Sequence, residues 1–162
     1  MKELILLRHA KSSWARDELD DFDRPLNGRG LREAPLAAAA LAAQCAPADR
    51  LLTSPAVRAY HTALFLRKAW NLDWDRFQLR PAVYEAPPGD LLRVLADLPD
   101  EAGRVALVGH NPGLSLLLEH LTGAGPELKT ACAARIAIRG DWSGPEPGKG
   151  ELIGGKVISV AG

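Results

Sequence analysis

Four short stretches of the chain carry side chains able to hold and transfer an anionic group. Arg8-His9 sets a fixed cation beside an ionisable imidazole. Arg58 is followed by His61 and Thr62, three and four residues on, which places them on the same face if the segment is helical. Tyr84-Glu85 offers a carboxylate, and His110 opens the run HNPG. Guanidinium forks match phosphoryl oxygens two at a time, and the free N–H groups of a helix N-terminus add to the same field. A neutral imidazole among such cations is a competent nucleophile at phosphorus, because positive neighbours lower its pKa. On this reading His9 attacks, and His110 suits a charged donor to a phosphoryl oxygen. Glu85 protonates the leaving group and then activates water. His61 reads as a satisfied surface or core histidine, and His120, inside a Leu-rich segment, as structural.

These residues are scattered, so the elements that carry them decide whether they meet. Leu4-Ile5-Leu6-Leu7 is a short unbroken apolar run, as expected for a strand buried on both faces of a parallel sheet. Lys11 to Asn27 is polar and irregular, and its acidic knot (Asp17, Glu18, Asp20, Asp21, Asp23) reads as a solvated loop; DELDDFD lacks the Gly and terminal Glu of a calcium loop. Asn27 caps a helix running to about Gln44, with Pro35 predicted to kink it or mark its true start. Asp49 to Thr53 is a second strand. Ser54-Pro55 then reads as N-cap and first helical position, with Val57, Tyr60, Leu64 and Phe65 as the apolar face of a helix to about Trp70. Phe77 to Tyr84 is a weaker strand, and a helix follows from about Leu91 to Leu98. Arg104 to Gly109 is another buried strand, followed by a helix from Pro112 to Thr122 that closes at Gly123. Ala131 to Arg139 and Glu151 to Val160 complete the strands, separated by a Gly- and Pro-rich surface loop, and are able to pair as an antiparallel hairpin at an edge.

Strands alternating with helices predict an α/β three-layer sandwich, a mainly parallel central sheet flanked by helices. Ligands bind such sheets beyond the carboxyl ends of the strands. If the strands are parallel, two arginines, two histidines and a glutamate share one crevice.

The totals narrow the function. A chain of 162 residues is read as a single domain, 1–162, with a core large enough to stand without disulfides or metals. Twenty basic and twenty acidic residues cancel, so no global field draws the protein to nucleic acid or to an anionic membrane. Cys45 and Cys132 form no CxxC pair, and Cys132 reads as a small core residue. No apolar stretch reaches the length of a membrane span, and no signal-peptide pattern opens the chain, so the expectation is a cytoplasmic protein.

Taken together, LILLRHAKSSW, RPLNGRG, TSPAVRAYHTA and VGHNPG resemble the histidine phosphatase superfamily (branch 1), most closely its short SixA-like phosphohistidine phosphatase group. The similarity spans Leu4 to about Leu121. It implies a phosphoglycerate-mutase-like fold, no cofactor, His9 as the residue phosphorylated during turnover, and Arg8, Arg58 and His110 as the rest of the phosphate-binding core. It also implies Asn27, at the end of RPLN, as a further polar contact near the phosphate. The family's usual Arg-His-Gly is Arg8-His9-Ala10 here, a substitution also at home in the SixA-like group. Glu85 sits about where other branches keep a carboxylate, a pattern the SixA-like group matches poorly. A phosphoramidate leaving group is easily protonated, so a phosphohistidine substrate asks less of that acid than an alkyl phosphate does. The implied partner is a phosphorylated protein, such as a histidine phosphotransfer domain, or a small phosphate ester.

Three rival readings fit the chain less well. A mutase needs a closed pocket, and short connections leave no insertion to form a lid. A phosphate-recognition module without turnover has no use for the nucleophile. A metalloenzyme built on His9, His61 and His110 lacks a ligating carboxylate at known spacing, and the arginines would repel its cation.

Overall fold

In a computed structural model, which describes residues 1–160, six strands form one sheet in the order β3-β2-β4-β1-β5-β6. The strands are β1 (Lys2–Arg8), β2 (Arg50–Thr53), β3 (Phe77–Leu79), β4 (Arg104–Gly109), β5 (Ala133–Ile138) and β6 (Glu151–Leu152). The helices are α1 (Gly28–Gln44), α2 (Val57–Trp70), α3 (Pro88–Ala96) and α4 (Gly113–Thr122). β3, β2, β4 and β1 run parallel, while β5 joins the β1 edge antiparallel and β6 pairs antiparallel to β5.

The apolar runs fill both faces of the sheet. Leu4 and Leu6 pack with Leu107 against α3 and α4, while Ile5 and Leu7 pack with Ala106 and Val108 against α1 and α2. Period-two alternation in a doubly covered strand produces this split. Each leucine so buried contributes roughly 1.5–3 kcal/mol relative to an exposed one.

Several local expectations change. The inner face of α2 is not Val57, Tyr60, Leu64 and Phe65; its buried residues are Arg58, Ala59, Thr62, Ala63, Leu66 and Trp70. Small residues there let α1, whose Ala34, Ala37 and Ala38 are buried in the same cluster, approach closely. Turning Arg58 inward sets that rotation, and it hides the pattern from a hydrophobicity reading. Ser54 is not the helix cap: α2 starts at Val57, and Ser54 Oγ accepts from the Ala56 N–H instead. α1 runs through Pro35 without restarting, and Asn27 caps it as expected, accepting from Gly30 N–H at 2.9 Å. β3 stops at Leu79, because Pro81 has no N–H for a ladder and opens a one-turn 3-10 helix, Pro81–Val83. α3 begins at Pro88, before Leu91. The last strand is only Glu151–Leu152, after which Gly154 and Gly155 turn the chain at positive φ and a single bridge joins Ile158 to Ala133. Cys132 is a buried core residue.

Two glycines explain why the motif loops sit where they do. A Cβ on Gly30 would lie 2.1 Å from the carbonyl oxygen of Lys11, and one on Gly113 would lie 2.0 Å from that of Ala86. Each marks a helix start seated on the backbone of a loop leading to the crevice. Gly30→Ala is therefore expected to destabilise the protein by roughly 1–3 kcal/mol, as overpacking does. Gly89→Ala, which meets open space inside α3, should be neutral or slightly stabilising. Urea denaturation midpoints of the two variants check the contrast.

Candidate active site

The parallel register sets the site. Arg8 pairs with Gly109 across β1 and β4, and Thr53 with Val108 across β2 and β4. The chain leaves all three strands at one level, so His9, Ser54 and His110 come out abreast. The ladder continues one residue beyond the strands: His9 N–H donates to Gly109 O at 3.1 Å and Ser54 N–H to Val108 O at 3.0 Å. Beyond them lies a cleft of about 260 Å³ whose walls include Arg8, His9, Arg58, Glu85 and His110. Five of the six sequence-derived site residues meet there. Asn27 does not; its side chain is spent on capping α1, although its Nδ2 reaches Ser12 O at 3.5 Å. His61 stacks on Phe65 and is likewise not among the lining residues. Glu85 reaches the cleft by the 3-10 turn after β3 rather than from the strand's end, and is exposed with φ 50°. A non-glycine residue in the left-handed region is strained.

His9 is buried, and its Nδ1 lies 2.7 Å from the carbonyl oxygen of Ala10. A carbonyl only accepts, so Nδ1 carries the proton and Nε2 keeps its lone pair. Burial lowers the His9 pKa to about 4; the Ala10 carbonyl opposes this, and Arg58, Arg8 and Arg24 add to it. The ring is uncharged at neutral pH. His110 lies 5.2 Å away between centroids, with its Nε2 2.7 Å from Ser54 Oγ. Burial, then His9 and Arg58, push it down to about 3, so in the free cleft it is neutral rather than the charged donor expected above.

The arginines are held by their tips. Arg8 Nη1 donates to Leu128 O at 3.1 Å, and Asn111 Nδ2 donates to the same oxygen at 2.6 Å. Arg58 gives Nη1 to the backbone oxygen of Asp21 at 2.6 Å and Nη2 to its carboxylate at 2.9 Å. Each guanidinium keeps a buried Nε without a partner, as does Nδ1 of His110. Buried donors left unmatched cost about 1–3 kcal/mol each unless a ligand completes them. Among the described residues, half of the six such buried side-chain atoms belong to these three cleft residues.

Asp21, Arg24 and Tyr84 are the components that sequence reasoning missed. The stretch from Lys11 to Asn27 is not simply solvated. It is a closed excursion, pinned by a Ser12–Leu26 bridge and by Asn27 N–H donating to Lys11 O. Its Asp21 accepts from Tyr84 OH at 2.7 Å and from Arg24 as well as Arg58. Burial works to raise the Asp21 pKa, but these three donors outweigh it and hold the carboxyl well below the usual range. Tyr84 is pushed up to about 12 by burial and by Asp21. Arg24, itself buried, donates to Ser12 Oγ and lies over the exposed Trp14 ring. Nothing local in the acidic knot distinguishes Asp21 from its neighbours; its main partner is 37 residues away.

Among the described residues, no helix is long and apolar enough to cross a membrane, and no group of three or more His, Cys, Asp or Glu is placed to hold a metal ion.

The family model for the histidine phosphatase superfamily (branch 1) matches residues 4–91. The chain is 32% identical over 160 residues to Rv1276c of Mycobacterium tuberculosis, covering 91% of this chain and 97% of that one. A chloroplastic protein of Arabidopsis thaliana, At3g52155, is 31% identical over 153 residues, covering 86% and 68%. Among solved structures, the candidate phosphohistidine phosphatase SixA from Agrobacterium tumefaciens superposes with TM-score 0.81 at 29% identity, covering 98% of this chain and 97% of that one.

The two depressed imidazoles tie stability to pH. In the fold they stay neutral down to about 4 and about 3, whereas in the unfolded chain they take up protons near the ordinary value of 6.5. The unfolded state thus binds more protons in that interval, and stability falls as pH is lowered through it. Between pH 7 and pH 5 the loss should be on the order of 2 kcal/mol per ring. Urea midpoints at the two pH values measure it, and His9→Asn should remove about half of the dependence.

Proposed function

The chain belongs to the histidine phosphatase superfamily (branch 1), and we propose that it is a metal-independent phosphatase acting through a phosphohistidine on His9. The observation that carries this reading is the Nδ1–H bond from His9 to the Ala10 carbonyl, which leaves Nε2 unprotonated in a cleft walled by cations.

The substrate's phosphoryl group settles against Arg8, Arg58 and His110, whose unmatched N–H groups receive its oxygens. Ser54 Oγ accepts from Ala56 and has its own proton to give to Nε2 of His110; Nδ1 of His110 then carries the donating N–H. Arrival of a dianion also favours protonation of His110, so the charged donor expected from the sequence forms with the substrate rather than before it. Nε2 of His9 attacks phosphorus, the bond to the leaving group breaks, and Glu85 delivers the leaving group's proton. Water then attacks phosphorus and breaks the P–Nε2 bond. Glu85 takes the water's proton, phosphate leaves, and His9 returns to its starting tautomer.

The substrate class we favour is phosphohistidine on a protein, such as a histidine phosphotransfer domain. Two points support it. The SixA structure at 29% identity is named for that activity. Glu85, exposed at the cleft edge, suits a labile P–N bond better than an alkyl ester, which demands a well-placed acid.

A screen across phosphohistidine proteins, aryl phosphates and small alkyl phosphates tests the proposal. His9→Ala should lower turnover by at least about 10³-fold on every substrate, the scale of losing a nucleophile. A module that only binds phosphate would show no turnover to lose. Chelation with EDTA should leave the rate unchanged. Glu85→Gln should cost about 10²-fold on an alkyl phosphate and far less on phosphohistidine.

A further inference from the structure

Next to the cleft lies a second hollow of about 460 Å³, lined by Arg8, Lys11, Arg29, Lys129, Thr130, Cys132 and Ser159. Arg8, Lys11 and Thr130 line both, so the two spaces adjoin across these residues. Four of the seven lining residues are cations and none is a carboxylate, in a chain whose net charge is zero. Lys11 and Lys129 carry no ion pair among the described residues. Arg29 is paired with Glu33, and Glu127 acts on Arg8 from a distance, so the charge is reduced but not cancelled. The cleft proper behaves differently: there Asp21 already occupies the tips of Arg58 and binds Arg24. On the Lys129 side no lining carboxylate answers the positive charge.

We propose that this hollow is an anion subsite, taking a second negatively charged group of the molecule whose phosphoryl is transferred in the cleft. The inference rests on the phosphatase reading of His9 and adds to it the substrate's second feature. The subsite selects leaving groups that carry a phosphate or carboxylate toward Lys129, away from the acidic excursion. Screened, partly exposed contacts of this kind amount to a fold-effect on KM rather than on the chemical step, because they act equally in the ground and transition states.

The test compares paired substrates. Butyl phosphate is set against butane-1,4-diol bisphosphate, and a phosphohistidine peptide flanked by alanines against the same peptide flanked by glutamates. The protein should show a KM about tenfold lower for the member with the extra anion, at similar kcat, and added salt should shrink the difference. Preference confined to the bisphosphate pair identifies a small phosphate ester as the source of the anion; preference confined to the peptide pair identifies a protein. Lys129→Ala combined with Arg29→Ala should erase the preference and leave KM for butyl phosphate within about twofold. Lys129→Ala alone, at an exposed position, should already halve it. Equal KM within both pairs, or a preference untouched by the double substitution, overturns the subsite. If no substrate is turned over, the His9 reading fails on its own, and calorimetric binding of the same pairs then decides the subsite by the same two criteria.

Discussion

An imidazole kept uncharged by burial and by the cations around it is the constraint on which the rest of the structure depends. His9 is buried enough to lose its proton, yet it lines one cleft with Arg8 and Arg58. The fold satisfies both demands by ending two parallel strands at one level, so that His9 and His110, the next residue of each, reach the cleft together. The Ala10 carbonyl then selects the tautomer. A cleft with these unmatched donors and unbalanced cations is costly to fold, and the apolar residues packed on both faces of the sheet offset that cost.

The acidic excursion manages the charge. Asp21 holds both tips of Arg58, receives Arg24 and is fixed by Tyr84, whose ring packs edge-on to His110. A single carboxylate therefore aligns an arginine, limits the repulsion between two guanidiniums and ties the loop to the second histidine. Its partners leave the Nε of Arg58 unmatched, so alignment does not consume the donor that an anion would use. Leu128 O does the same for Arg8 from the other side, with Asn111 sharing that oxygen.

Much of this was legible in the chain. Apolar runs ending in Arg8-His9 and in Gly109-His110 revealed both strands and where they stop, since buried parallel strands leave an unmistakable composition. Asn27 as cap and Gly123 as terminator follow from local chemistry and hold. What escaped depends on distant partners. The inward face of α2 is set by Arg58 facing the cleft, and a hydrophobicity pattern reads a buried arginine as surface. Asp21 differs from Asp20 and Asp23 only through Arg58 and Tyr84, residues far along the chain. The resemblance implies Asn27 near the phosphate, whereas its side chain is held by the helix it caps. The final strand failed for a local reason that the paired glycines at 154 and 155 already signalled.

Nitrogen-15 NMR of the histidine side chains at neutral pH tests the central claim most directly. The account predicts that His9 shows a protonated Nδ1 and a bare Nε2, titrating only near pH 4. An imidazolium at pH 7, or a proton on Nε2 instead, would contradict it, because no lone pair would then be available to take the phosphoryl group.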